Sequence, residues 1–246
     1  MHLSPAGYAL ALLAALCIGL SKSGFSGVSL AAVVVFADLY GAKASVGLAL
    51  PLLIAADLMA YPAFRRHGSW QPVWKLLAPT LVGLLAGWRV LDQMDDQMLR
   101  RAIGAAILLM VAVQALRRVK PETFDHWAHS PGCGTAAGLL GGFATMLANA
   151  AGPVVQLYLM ARRVPKLDLI GTGARFFLLI NLIKVPLNAQ LATITEASLW
   201  ENAKLLPAVA AGIFGGRWLI HHVPQRAFEW MIVGFSALAA LRLIAF

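Results

Sequence analysis

Four ionisable side chains lie inside strongly apolar stretches of this 246-residue sequence: Lys22, Asp57, Arg175 and Lys184. A charged side chain at the centre of a bilayer costs at least about 2.5–3.5 kcal/mol, so each of them needs a compensating role. We predict that the cations bind an anion and that Asp57 carries a coupled proton. The alternative is a structural ion pair between Asp57 and Lys22 or Arg175.

Lys22 belongs to a run of small and polar residues, 21–27, which interrupts the first apolar stretch and is here termed the first break. A short helix is predicted to begin near its end, and a helix N-terminus presents free N–H groups and about half a positive charge. Together with the lysine it would form a cradle for an anion. The alternative is a lysine that extends to a lipid headgroup or pairs with a carboxylate. The candidate ligands here are Lys22, Ser23, Gly24, Phe25, Ser26 and Gly27.

A second break, residues 149–153, interrupts the chain again in its second half. Asn149 can cap a short helix or bind a ligand oxygen. Pro153 suits a first helical turn, where its missing N–H is no loss. We predict Asn149, Gly152 and Pro153 as ligands, with a simple capped helix break as the alternative.

Three further candidates, Arg175, Asn181 and Lys184, share one later apolar segment. Asn181 and Lys184 are three residues apart and therefore lie on the same face of a helix. Arg175 lies about 120° away around that helix, so the three need not face one cavity. Lys184 is near the helix end, where a lysine can also extend to the membrane surface.

The segments that position these residues form an internal repeat. Residues 47–62 align with 171–186 at an offset of 124, which matches Asp57 with Asn181. Residues 75–87 align with 204–216, and both copies carry small-xxx-small glycine pairs that are typical of helix packing. A repeat in an apolar chain is typical of transporters whose binding site lies where the copies meet. The glycine pairs are Gly83 with Gly87 and Gly212 with Gly216.

Composition places the chain in a membrane. Hydrophobic residues make up 60% and charged residues 13%, against about 25% charged in a soluble domain. The net charge of +9 comes from Lys and Arg that lie mostly at segment ends, which favours lipid headgroup contact over nucleic-acid binding. No catalytic motif or metal-ligand spacing occurs, so we predict no enzyme activity, no cofactor and no metal. The expected partners are a small anionic substrate and membrane lipids, with a homo-oligomer as an option.

Segment lengths predict an all-α polytopic membrane protein built from two repeats. In each half the third to fifth apolar segments have about 18–21 residues, enough to span the membrane core. The second segments, 27–39 and 153–161, are too short to span. We therefore predict that each repeat is a broken-helix hairpin plus three spanning helices. The first repeat would cover residues 1–118, a cytoplasmic connection 119–131, and the second repeat 132–246.

Loop charges predict that the second repeat is inverted. The loop after the third segment is basic in the first copy, with Arg65 and Arg66, and acidic in the second, with Glu196 and Glu201. Because cytoplasmic loops carry an excess of Lys and Arg, equivalent loops would face opposite sides of the membrane. Both termini would then lie outside the cell.

Several stretches resemble the sulfite exporter TauE/SafE family: "GLSKSGFSG" at 19–27, "LPLLIAADLMAYPAFRRHGSW" at 50–70, "ANAAGPVVQLYLM" at 148–160 and "NLIKVP" at 181–186. The resemblance covers nearly the whole chain. It implies a bacterial inner-membrane transporter that exports sulfite, organosulfonates or related small anions, coupled to an ion gradient.

The motifs of the family fall on Lys22, Gly24 and Phe25, and on Gly152 and Pro153. Family members often have K-G-G-F and H-A-G-G-P; this chain has Ser23 in the first motif, and Asn149 and Ala151 in the second. The missing histidine removes a titrating or binding group. The resulting prediction is a secondary transporter that works by alternating access, and the alternative is a small-anion channel without coupling.

Overall fold

The computed structural model describes residues 3–25, 28–119, 132–162 and 164–219, together with Ala237 and Leu241. Within these ranges the chain forms nine helices and no strand, which confirms the all-α prediction. In chain order they are α1 (Pro5–Lys22), α2 (Val28–Tyr40), α3 (Ala42–Phe64), α4 (Trp70–Gln93), α5 (Asp96–Val119), α6 (Cys133–Ala148), α7 (Gly152–Ala161), α8 (Lys166–Gln190) and α9 (Glu196–Leu219).

Four of the described helices, α1, α3, α4 and α8, are long and apolar enough to cross a membrane. The shorter apolar helices α2 and α6 have 13 and 16 residues, and α7 has 10. At 1.5 Å per residue, α7 reaches only about 15 Å of a core about 30 Å thick. The chain is thus a multi-pass membrane protein in which each half contains at least one helix too short to span.

The first helix is longer than expected. The first break was predicted to begin at residue 21, but α1 continues to Lys22 and has 18 residues. Ser4 caps its start by accepting a hydrogen bond from the Gly7 N–H at 3.1 Å. The helix continues because no breaker occurs before Gly24, whose φ of 107° is a conformation that favours glycine. Lys22 is therefore the last helical residue rather than part of a loop.

The second break lies where the sequence predicts it. Helix α6 ends at Asn149, whose φ of 51° is left-handed, and the Asn149 N–H donates to the carbonyls of Ala144 and Thr145. Asparagine tolerates this conformation better than most residues, so it is a suitable helix end. Helix α7 begins three residues later, at Gly152.

Helices from the two halves pack closely through glycines at repeat-equivalent positions. A Cβ on Gly83 of α4 would lie 2.0 Å from the carbonyl oxygen of Leu139 on α6. The equivalent Gly212 of α9 would place a Cβ 2.2 Å from the carbonyl oxygen of Leu16 on α1. Only glycine allows backbones to approach so closely, which confirms that these positions serve helix packing. The reciprocal contacts are Gly142 with Thr80 and Gly19 with Val209.

Helices α3 and α8, which are equivalent in the repeat, pack against each other in antiparallel directions. Gly47, near the start of α3, contacts the carbonyl of Thr193, just after α8. Gly171, near the start of α8, contacts the carbonyl of His67, just after α3. Between these contacts, the equivalent side chains of Asp57 and Asn181 bond to each other. The centre of the repeat therefore coincides with a polar contact.

Candidate anion-binding site

A cavity lies beside the contact between Asp57 and Asn181, bounded by both breaks and by α3 and α8. It holds about 690 Å³ of space outside protein atoms, including its open mouth. The polar residues that line it are Ser21, Lys22, Ser29, Asp57, Thr145, Asn149, Gln156 and Asn181.

Lys22 and Asp57 form an ion pair at the wall of this cavity. The Lys22 Nζ lies 2.6 Å from Asp57 Oδ1, and the Asn181 amide donates to Asp57 Oδ2 at 2.9 Å. The Asp57 side chain is fully buried, whereas that of Lys22 remains 12% exposed. The ammonium also lies 5.0 Å from the centroid of the Phe177 ring, within the range of a cation–π contact. The structure therefore contains the alternative predicted for Lys22, an ion pair with a carboxylate. The Lys22 ammonium nevertheless lies at the wall of the cavity.

Asn149 and Lys184 form a second polar network. The Lys184 ammonium donates to the Thr145 carbonyl at 2.7 Å, to the Thr145 hydroxyl at 3.3 Å and to Asn149 Oδ1. The Asn149 amide nitrogen in turn donates to the Val46 carbonyl at 3.1 Å. These contacts fix the Asn149 amide at the cavity wall. Lys184 itself is fully buried and does not line the cavity, so it positions Asn149 rather than reaching the space directly.

The structure does not bring Arg175 to the cavity. Its guanidinium donates to the backbone carbonyls of Arg65, His67 and Gly171 at 2.6–2.8 Å. It also lies 5.9 Å from the Trp70 ring centroid. Arg175 therefore anchors the connection between α3 and α4. The 120° between Arg175 and Asn181 around the helix is consistent with this separation.

Residues of the first break are also divided between two roles. Gly24 lines the cavity with Lys22. The Ser23 hydroxyl instead donates to the Ile213 carbonyl of α9 at 3.0 Å, and Phe25 is 3% exposed within the protein. Ser26 and Gly27, also predicted as ligands, lie outside the described residues.

At the second break, Gly152 lines the cavity and begins α7, with Pro153 as its next residue. Gln156, which was not among the predicted ligands, lies one turn further along the same face of α7 and also borders the cavity. A glutamine in an otherwise apolar short helix was the available signal, because a polar side chain in that setting needs a partner.

The cavity extends from Asp57 mainly toward one end of the α3–α8 pair. On α8 its lining residues lie before Asn181, from Leu169 to Phe177, and on α3 they include Ala60. Because α3 and α8 are antiparallel, these residues lie toward the loop that carries Arg65 and Arg66. On the opposite side, here termed the closed side, Asn149 bonds to the Val46 carbonyl and Lys184 bonds to the Thr145 carbonyl.

Apart from the Asp57 carboxylate, the polar lining can donate hydrogen bonds to an anion. It supplies an ammonium, amide groups, hydroxyls and the N-terminal end of α7, all of which can donate hydrogen bonds. No group of three or more His, Cys, Asp or Glu residues that could hold a metal occurs in the described ranges. Both cysteines are free thiols.

A family model described as sulfite exporter TauE/SafE matches residues 10–243. The chain belongs to the sulfite exporter TauE/SafE family. The match confirms the resemblance seen in the sequence and makes the chain a membrane transport protein with a small anionic substrate. No match was found among curated proteins or among solved structures.

Proposed function

We propose that this TauE/SafE protein is a secondary transporter that exports a small sulfur-containing anion, sulfite or an organosulfonate, across the bacterial inner membrane. The observation that carries the proposal is the cavity, which is lined by the Lys22 ammonium, by Asn149 and by the start of α7. An oxyanion there would accept hydrogen bonds from the cation and from amide N–H groups, the donors that charged oxygens prefer.

The proposed architecture is a pair of inverted repeats. Support comes from the antiparallel packing of the equivalent helices α3 and α8, since two copies in the same orientation would place these helices parallel. The reciprocal contacts of Gly83 with Leu139 and of Gly212 with Leu16 favour the same two-fold relation. Such an axis, in the membrane plane, is typical of transporters with a binding site near the midplane. Together with the positive-inside rule, such an axis supports the proposal that both termini lie outside.

The proposed coupling step centres on the ion pair between Lys22 and Asp57. An anion that bonds to the Lys22 ammonium competes with the Asp57 carboxylate, which is fully buried. A buried carboxylate that loses its cation is strongly destabilised. Asp57 would therefore take up one proton when the anion binds, so that the anion and the proton occupy the site together.

The closed side of the cavity favours a transporter over a channel. A channel needs a path open to both sides, whereas Asn149 and Lys184 bond across one end of this cavity to α3 and α6. In alternating access, this end opens when the other closes.

Transport of radiolabelled sulfite in proteoliposomes tests the proposal. We expect purified protein to accumulate sulfite against its concentration gradient when a pH gradient is imposed. Flux that only runs downhill would favour the channel instead. The absence of sulfite and alkylsulfonate flux in either condition would contradict the proposed function.

A further inference from the structure

The two ends of the cavity differ at one repeat-equivalent position. On the open side, Ala60 of α3 lines the cavity, three residues after Asp57. At the offset of 124, its equivalent is Lys184 of α8, three residues after Asn181 and on the closed side. The chain thus has a small apolar residue where the cavity is open and a lysine where it is closed.

A second equivalent pair shows the same asymmetry in its contacts. Ile170 of α8 lines the open cavity, while its equivalent Val46 lies on the closed side and accepts the hydrogen bond from Asn149. The second break therefore contacts the start of α3, whereas the equivalent start of α8 lines the cavity. If the two repeats exchanged these arrangements, the positions around Val46 and Lys184 would line a cavity on the opposite side.

The surroundings of Lys184 also indicate a role beyond the closed state. Its ammonium is fully buried, and its three bonds go to the carbonyl and hydroxyl of Thr145 and to the Asn149 amide oxygen, all of them neutral groups. Burial of a cation without a neighbouring carboxylate is costly. The ion pair between Lys22 and Asp57 shows that this protein supplies a carboxylate to another lysine. Neutral partners leave the charge of Lys184 available to an anion once the contact with the second break opens.

We propose that Lys184 is the anion ligand of the opposite-facing state. It would line the cavity when the protein opens away from the Arg65 loop and would hold the anion there before release. This inference rests on the proposed transport function. In the exchange, the anion passes from Lys22, which pairs again with Asp57, to Lys184, which separates from Thr145 and Asn149.

Affinity measured separately from each face tests the proposal. Sulfite exchange is followed in right-side-out and inverted membrane vesicles, which present opposite faces of the protein. We expect Lys184→Gln to raise the sulfite concentration that gives half-maximal exchange from the outer face by about 10–100-fold. This is the effect of losing one charge-assisted hydrogen bond. The half-saturation concentration from the Arg65 face should rise less than that from the outer face, because in the open cavity Lys184 acts only by positioning Asn149, and a glutamine amide can still donate to Asn149 Oδ1.

Two variants serve as matched controls. Lys22→Gln should weaken half-saturation mainly from the Arg65 face, because Lys22 pairs with Asp57 again in the opposite-facing state. The double variant Ala60→Lys with Lys184→Ala moves the cation to the other end and should reverse the asymmetry. Equal effects of Lys184→Gln on both faces would overturn the proposal while leaving the transport function standing. No sulfite exchange by the wild-type protein would instead refute the transport function.

A labelling experiment covers the case in which Lys184 variants do not fold. Ser45 is equivalent to the cavity-lining Leu169, and Ser45→Cys is nearly isosteric. In a background with Cys17→Ala and Cys133→Ala, a membrane-impermeant thiol reagent should label this position from the outer face. A variant that exports sulfite yet is never labelled from that face, with or without ethanesulfonate inside, would overturn the proposed outer cavity.

Discussion

Replacing Asp57 with asparagine separates anion binding from proton binding. The carboxylate is fully buried and lies 2.6 Å from the Lys22 ammonium, so it is the group that an incoming anion must displace. Asp57→Asn removes this competitor. The substituted amide oxygen can still accept the hydrogen bond from Asn181, which preserves the contact between α3 and α8.

The size of the effect follows from the contact that is removed. A hydrogen bond to a charged group contributes about 1.5–3 kcal/mol, which corresponds to about 10–150-fold in a dissociation constant. We therefore expect Asp57→Asn to bind sulfite or an alkylsulfonate more tightly, by up to that factor. Transport should slow, because a tightly held anion leaves slowly and the coupled proton is lost.

Isothermal titration calorimetry in two buffers with different ionisation enthalpies measures both quantities. An alkylsulfonate is the appropriate ligand because its sulfonate stays ionised. The wild-type protein should take up about one proton per anion, and Asp57→Asn none. Asp92→Asn, an exposed carboxylate away from the cavity, is the matched control and should behave as wild type. Weaker binding by Asp57→Asn, or unchanged proton uptake, would refute the exchange of partners on Lys22.

Three further predictions concern the helix packing and the membrane topology around the site. Arg175→Ala should lower stability by about 2–4 kcal/mol in denaturant unfolding, because three backbone carbonyls lose a charged donor, with anion affinity within twofold of wild type. A loss of affinity at wild-type stability would instead place the guanidinium in the site. Gly83→Ala should cost about 1–3 kcal/mol, since its Cβ would overlap the Leu139 carbonyl, and wild-type thermal stability would contradict that packing. Single cysteines at Arg66 and Ala192 should be labelled from opposite sides of the membrane, and labelling from one side would defeat the inverted topology.

The helix breaks could be predicted from the sequence because their causes are local. Gly24 and Asn149 adopt positive φ values that few other residues tolerate, and both lie in runs of small residues. The extent of α1 was less predictable, since serine and lysine can continue a helix when no breaker follows. The ion pair between Lys22 and Asp57 was an alternative that the sequence left open beside the binding of an anion and a proton.

Apart from the Gly171 carbonyl, the partners of Arg175 and Lys184 could not be predicted, because they are backbone or side-chain atoms distant in the sequence. Arg175 bonds to carbonyls left free where α3 ends, about 110 residues earlier. Lys184 meets Asn149, 35 residues away, because the end of α6 lies within reach of the long lysine side chain. Periodicity gives the face of a helix on which a residue lies, but the neighbour on that face depends on the packing of the whole bundle.

The most direct test of the central claim compares sulfite binding and export by the wild-type protein with those of Lys22→Ala and of Lys75→Ala. Lys75 is an exposed lysine outside the cavity and controls for the loss of one positive charge. We predict that Lys22→Ala folds, as judged by size-exclusion chromatography, and has no measurable sulfite binding or export, while Lys75→Ala matches the wild type. Sulfite affinity and export by Lys22→Ala equal to those of the wild type would contradict the assignment of this cavity as the anion site.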